Sequence, residues 1–135
     1  VRMTLICKRK TRFNPPMSWI NELANHNWIK TDELEAGMGV RPGEIPGDPG
    51  NADSPYSTRT TIIPHDGQSL EPNAICLIQN NVDEQCVNRI LRELSGADTG
   101  PFAPFYNDCE SLAYSIIQQC RTGPQLCDQC VRHWQ

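Results

Sequence analysis

Long apolar runs are missing from this 135-residue sequence. No stretch approaches the ~20 apolar residues that cross a bilayer as a helix, and none has the order of a signal peptide. An excess of positive charge is missing too. The formal net charge is −4, which argues against nucleic acid as the main partner. Apolar residues are scarce, at 38% against a usual ~45–50%. There are no internal repeats and no low-complexity tract. One domain, 1–135, is expected at this length. It is large enough to bury about two-thirds of its unfolded surface without covalent staples.

What is present is Pro, Gly and Cys. Pro and Gly together make 20 residues, so much of the chain is expected in loops. The seven cysteines are many for a cytosolic protein of this size, and their number is odd. Starting at Val1, the sequence reads either as a piece of a longer polypeptide or as a deliberately trimmed chain.

Charge is uneven along the chain. Arg2, Lys8, Arg9, Lys10 and Arg12 are five of the twelve Lys and Arg residues, and all sixteen Asp and Glu residues follow them. Such a stretch reads as a solvated strand edge guarded by lysines. The alternative is a docking patch for an acidic partner.

Residues 2–8 read as a short strand and Ser18 to Leu23 as one helical turn. Trp28 and Ile29 open a short apolar stretch beside His26. Residues 37–72 hold six Gly and six Pro and read as a long loop, with an insertion at about 37–59. Thr60 to Ile63 interrupts it as a β-branched strand, closed by Pro64 and turned by His65-Asp66-Gly67. Ala74 to Gln79 is a further candidate strand. Two helices are clear. Val82 to Leu94 has Asn81 as its cap, Glu84 as the capping-box partner and Gly96 as its stop. Its apolar face is Cys86, Val87, Ile90, Leu91 and Leu94. In the second, Cys109, Leu112, Ala113, Ile116, Ile117 and Cys120 form one stripe at the helical period. Asn107 or Asp108 caps it, and Gly123-Pro124 stops it.

Cys109 therefore falls in the first turn of a helix. A helix N-terminus lowers a thiol pKa and favours the thiolate nucleophile. Its free N–H groups can also hold an oxyanion. Residues 101–108 before it are irregular and aromatic, fit for a cleft wall. The plain alternative is that Cys109 is only the first core residue of the stripe. A thiolate nucleophile needs a base, and His26, His65 and His133 are available. Spacing alone does not choose among them.

The run His26-Asn27-Trp28-Ile29-Lys30-Thr31 with Ala36-Gly37-Met38-Gly39, and the run from Asn80 to Asn88, resemble segments of C-terminal toxin domains in Rhs-type polymorphic toxins. The run from Pro104 to Ala113 is similar to the helix start of permuted papain-like hydrolases related to the NlpC/P60 group. The matches run from about residue 3 to residue 124. The resemblance implies an α+β, permuted papain-like fold, with a small antiparallel sheet packed on the helix that carries the catalytic Cys. It implies Cys109 as nucleophile, His26 as general base and His65, or else Asp66, as the residue that orients the imidazole. Trp28, Tyr106 and Asn107 then contact the substrate. The intervening residues 37–59 depart from the short hairpin usual in the family.

Six cysteines remain: Cys7, Cys76, Cys86, Cys120, Cys127 and Cys130. They can pair in fifteen ways. A Cys86–Cys120 bridge would pin the two helices together. The Cys-rich tail at 120–135 offers a different reading, with Cys120, Cys127, Cys130 and His133 as zinc ligands. Buried thiols in a reducing cytosol are the third.

The function expected from the resemblance is an antibacterial effector: a cysteine hydrolase acting on an amide bond, foremost a peptidoglycan peptide amidase or endopeptidase. It would need no cofactor and no metal. It would be delivered within a larger secreted polypeptide, act in the target-cell periplasm (alternatively its cytoplasm) and have a cognate immunity protein. The alternatives are a protease, deamidase or acyltransferase toxin acting on a cytosolic protein, and a non-enzymatic, disulfide-stapled binding module.

Overall fold

A computed structural model of the chain describes residues 3–12, 15, 17–22, 25–41, 59–100 and 108–122. Five strands and two helices appear in the order β1 (Thr4–Lys10), β2 (Asn25–Lys30), β3 (Glu35–Val40), β4 (Thr60–Pro64), β5 (Ile75–Gln79), α1 (Glu84–Leu94) and α2 (Cys109–Gln119). The strands form one antiparallel sheet in the order β4-β3-β2-β1-β5. The domain is therefore α+β, an antiparallel sheet with helices against it.

Period-two alternation divides the sheet residues. Ile6 pairs with Ile29, and both join Ile62 in the core against the helices. Val87 and Leu91 from α1, and Ala113, Ile116 and Ile117 from α2, complete that core. Each fully buried aliphatic side chain contributes about 1.5–3 kcal/mol. The alternate residues Cys7 and Trp28 also pair and are both wholly buried.

Three local expectations are corrected. β1 lies between β2 and β5, not at an edge, so its lysines and arginines do not guard an open strand. Residues 37–40 are strand and not loop. Gly37 is the register partner of Trp28, and a Cβ there would lie 2.6 Å from Trp28 Cβ. The glycine is a close-packing residue. The remainder of the expected insertion, 42–58, lies outside the described residues. In α1 the cap is Asp83, which accepts from the backbone of Gln85 and Cys86. Asn81 instead takes a left-handed φ of 57°, and Glu84 turns inward to accept from the Asp32 N–H at 2.8 Å.

α2 starts at Cys109 with Asp108 as its cap, and Asp108 and Ser111 form a capping box. The helix closes at Gln119, with Cys120 as its C-cap. Among the described residues there are two disulfides. Cys7–Cys76 crosses the β1–β5 register and Cys86–Cys120 links the helices. Their sequence separations of 69 and 34 correspond to about 4 kcal/mol each in the chain-entropy account. Cys127, Cys130 and His133 lie outside the described residues. The Cys120 sulfur is spent on Cys86, which removes it from the zinc set.

Candidate active site

Two elements bring the chemistry together. The capping box fixes the first turn of α2, and with it Cys109. β2 carries His26 near its start. The Cys109 Sγ lies 2.9 Å from His26 Nδ1. On the other side of the ring, His26 Nε2 lies 2.5 Å from His65 Nε2. His65 follows β4, and its backbone N–H donates to the Glu35 carbonyl at 2.7 Å. Its Nδ1 lies 2.9 Å from the Ile63 carbonyl oxygen.

That carbonyl assigns the protons. A carbonyl only accepts, so His65 carries its proton on Nδ1. His65 Nε2 is then an acceptor, and His26 Nε2–H donates to it. His26 Nδ1 is left bare and accepts the Cys109 S–H. The result is a one-way chain from thiol to His26 to His65 to backbone.

The rings are packed in place. Both histidines are buried, with centroids 4.7 Å apart. Trp28 stacks on both, at 5.6 Å from His26 and 5.9 Å from His65. Trp28 is 0% exposed. It therefore backs the histidines and has no face left for a substrate, against its expected role. Its Nε1–H donates to Glu35 Oε2 at 2.8 Å. Arg9, the β1 register partner of His26, places its guanidinium 5.9 Å from the Trp28 ring and donates to Gln68 Oε1 at 3.2 Å.

Electrostatics favour the neutral pair. Burial, then His65, Arg9 and Arg12, push His26 down to about 3. Burial also lowers His65, against the Ile63 carbonyl that favours its protonated form. Burial, then the Asp108 carboxylate, push the Cys109 thiol up to about 12. Cys109 as a whole is half-buried, and its sulfur end is the desolvated part. It borders a small cavity of about 10 Å³ lined by Ile29, Met38, Ile62, Leu112 and Ile116 among others. The expectation of a resting thiolate is thus overturned. The N–H groups of Asn27 and Cys109, with Arg9, do pull the thiol pKa down, but burial and the capping carboxylate outweigh them.

Of the expected site residues, Cys109, His26 and His65 come together. Asp66 is exposed, so the position beyond His26 belongs to His65. Tyr106 and Asn107 lie outside the described residues. Asn27, Glu35 and Arg9 join the site unannounced. Asn27 does so because β2 pairs with β3 only from Trp28 to Lys30. Past that point its N–H is turned to the Cys109 sulfur. Glu35 had a faint signal, an acidic residue two positions before Gly37 in what is now a strand. Among the described residues, no group of three or more His, Cys, Asp or Glu side chains is placed to hold a metal ion. No known family model matches this chain, nor does any curated protein or solved structure.

Proposed function

We propose that the chain is a cysteine hydrolase that cleaves an amide bond. One observation carries the reading: the Cys109 thiol lies 2.9 Å from the bare Nδ1 of His26, and that ring is held from behind by His65. A nucleophile, its base and the group that orients the base are the parts such catalysis needs.

The neutral resting pair sets the order of events. The proton moves with the attack rather than before it. As Sγ bonds to the carbonyl carbon, the S–H proton passes to His26 Nδ1 and the C=O π electrons move to oxygen. The Cys109 backbone N–H, which lies against the sulfur, is the donor assigned to that oxygen in this reading. His26 is then doubly protonated, and His65 Nε2 accepts from its Nε2–H. Collapse of the tetrahedral adduct breaks the C–N bond, and the Nδ1 proton leaves with the amine. Water next adds to the thioester and gives its proton to His26. The C–S bond breaks, releasing a carboxylic acid and restoring the thiol.

The two disulfides support work in an oxidising compartment. With the resemblance to toxin domains, they favour a peptidoglycan stem peptide in a target-cell periplasm as the substrate and an immunity protein as the partner. The test is incubation of purified chain with peptidoglycan fragments. Release of peptides, lost in folded Cys109→Ala and His26→Ala, is expected. Inert fragments beside a modified cytosolic protein would move the substrate to the cytoplasm.

A further inference from the structure

We infer that Glu35 is the fourth member of this site, a positioning residue that holds His65 against His26 and supplies the negative charge that the Cys109–His26–His65 chain lacks. Its consequence for turnover rests on the hydrolase reading; its effect on the histidines does not.

Glu35 opens β3 and is 5% exposed. Its carbonyl accepts the His65 N–H at 2.7 Å. Its carboxylate accepts from Gly67 N–H at 3.0 Å, Ser69 N–H at 2.8 Å and Trp28 Nε1–H at 2.8 Å, and the Ser69 side chain adds a further hydrogen bond. Lys30 Nζ lies 3.9 Å away. One residue thus fixes the backbone of His65, the turn that follows it and the indole that stacks on both histidines.

Charge points to Glu35 separately from the hydrogen bonds. In a serine or cysteine triad that ends in Asp, a carboxylate balances the imidazolium. Here the chain ends on a neutral imidazole and a backbone carbonyl. The other charged groups around the histidines do not balance it. Arg9 on β1 and Arg12 after it oppose a positive His26. Glu71 is already paired with these two arginines, Arg12 at 2.6 Å and Arg9 at 3.9 Å. From α2 come the neutral Cys109 and the Asp108 carboxylate, which caps the helix. Glu35 is the buried carboxylate on the His65 side, and it favours the protonated form of His65. Burial opposes its charge, but the Trp28, Ser69 and Gly67 donors prevail and hold it below the usual glutamate range.

The test is Glu35→Gln, which keeps the shape and removes the charge. The histidine ring resonances, followed by NMR, are expected to titrate at lower pH than in wild type, because a carboxylate that stabilises the protonated ring has gone. The acid limb of kcat/KM moves the same way, by at least about half a pH unit. On a peptidoglycan stem peptide kcat falls about tenfold at nearly constant KM, and Glu35→Asp restores the limb. Unchanged histidine titration in folded Glu35→Gln overturns the inference. Should that variant not fold, the wild-type Glu35 carboxyl resonance decides: titration below the usual glutamate range supports the inference, and titration within or above it overturns it. A shifted histidine titration together with full turnover by Cys109→Ala would uphold Glu35 and overturn the hydrolase reading.

Discussion

Mild acid should destabilise this protein through His26. In the folded chain His26 is pushed down to about 3, while its ordinary value is 6.5. Below about pH 6.5 the unfolded chain therefore binds a proton that the folded chain refuses. The stability His26 confers is whole above that value and is lost as pH falls toward 3. Each pH unit inside the window costs about 1.36 kcal/mol for this one group. From pH 7 to pH 4.5 the loss comes to about 2.5 kcal/mol, a large part of the ~5–15 kcal/mol that holds a typical domain together. His65, shifted the same way by burial, steepens the loss. The assay is urea unfolding at both pH values in wild type and in His26→Gln. Carboxylates contribute equally to both proteins, so the difference between their pH slopes isolates His26. The slope is expected to shrink by about 2.5 kcal/mol over the interval in the variant. Equal slopes would refute the neutral, desolvated histidine on which the proton chain depends.

Three further outcomes follow from the same structure. Alkylation of Cys109 by iodoacetamide should be slow at neutral pH and keep rising above pH 9, because burial and Asp108 push its thiol up to about 12; a rate plateau reached by pH 7 would restore the resting thiolate. Gly37→Ala should cost about 1–3 kcal/mol of stability in thermal or urea unfolding, since the new methyl meets Trp28 Cβ at 2.6 Å, and an unchanged midpoint would contradict that packing. Non-reducing peptide maps should show Cys7 joined to Cys76 and Cys86 joined to Cys120, and Cys86→Ser should cost about 2–4 kcal/mol; any other pairing would break the assigned sheet register or helix packing.

The sequence made the helices legible through their period. The α2 stripe placed Cys109 on a first turn, and the β-branched run at Thr60 to Ile63 placed His65 at a strand end. What it hid were long-range effects. Gly37 and Gly39 read as loop residues because glycine is permissive, yet Gly37 sits in a strand to make room for Trp28. The basic run read as an edge because charge is local information, whereas strand order is set by pairing partners distant in sequence. Asn81 looked like a cap by type, but Asp83 offers the carboxylate at the right step and Asn81 bends the chain into it. The thiolate expectation counted the helix end and omitted burial, which no run of letters displays. Glu35 left only a faint trace for a similar reason: its partners come from β2 and from the turn after His65, which only the fold brings together.

Cys109 is the proposed nucleophile, activated by His26. Intact-protein mass spectrometry of an acid-quenched reaction with peptidoglycan stem peptides tests it most directly. A hydroxylamine-labile acyl group is expected on the Cys109 peptide in wild type, with no adduct and no turnover in folded Cys109→Ala. Peptide release that continues undiminished in folded Cys109→Ala would contradict it.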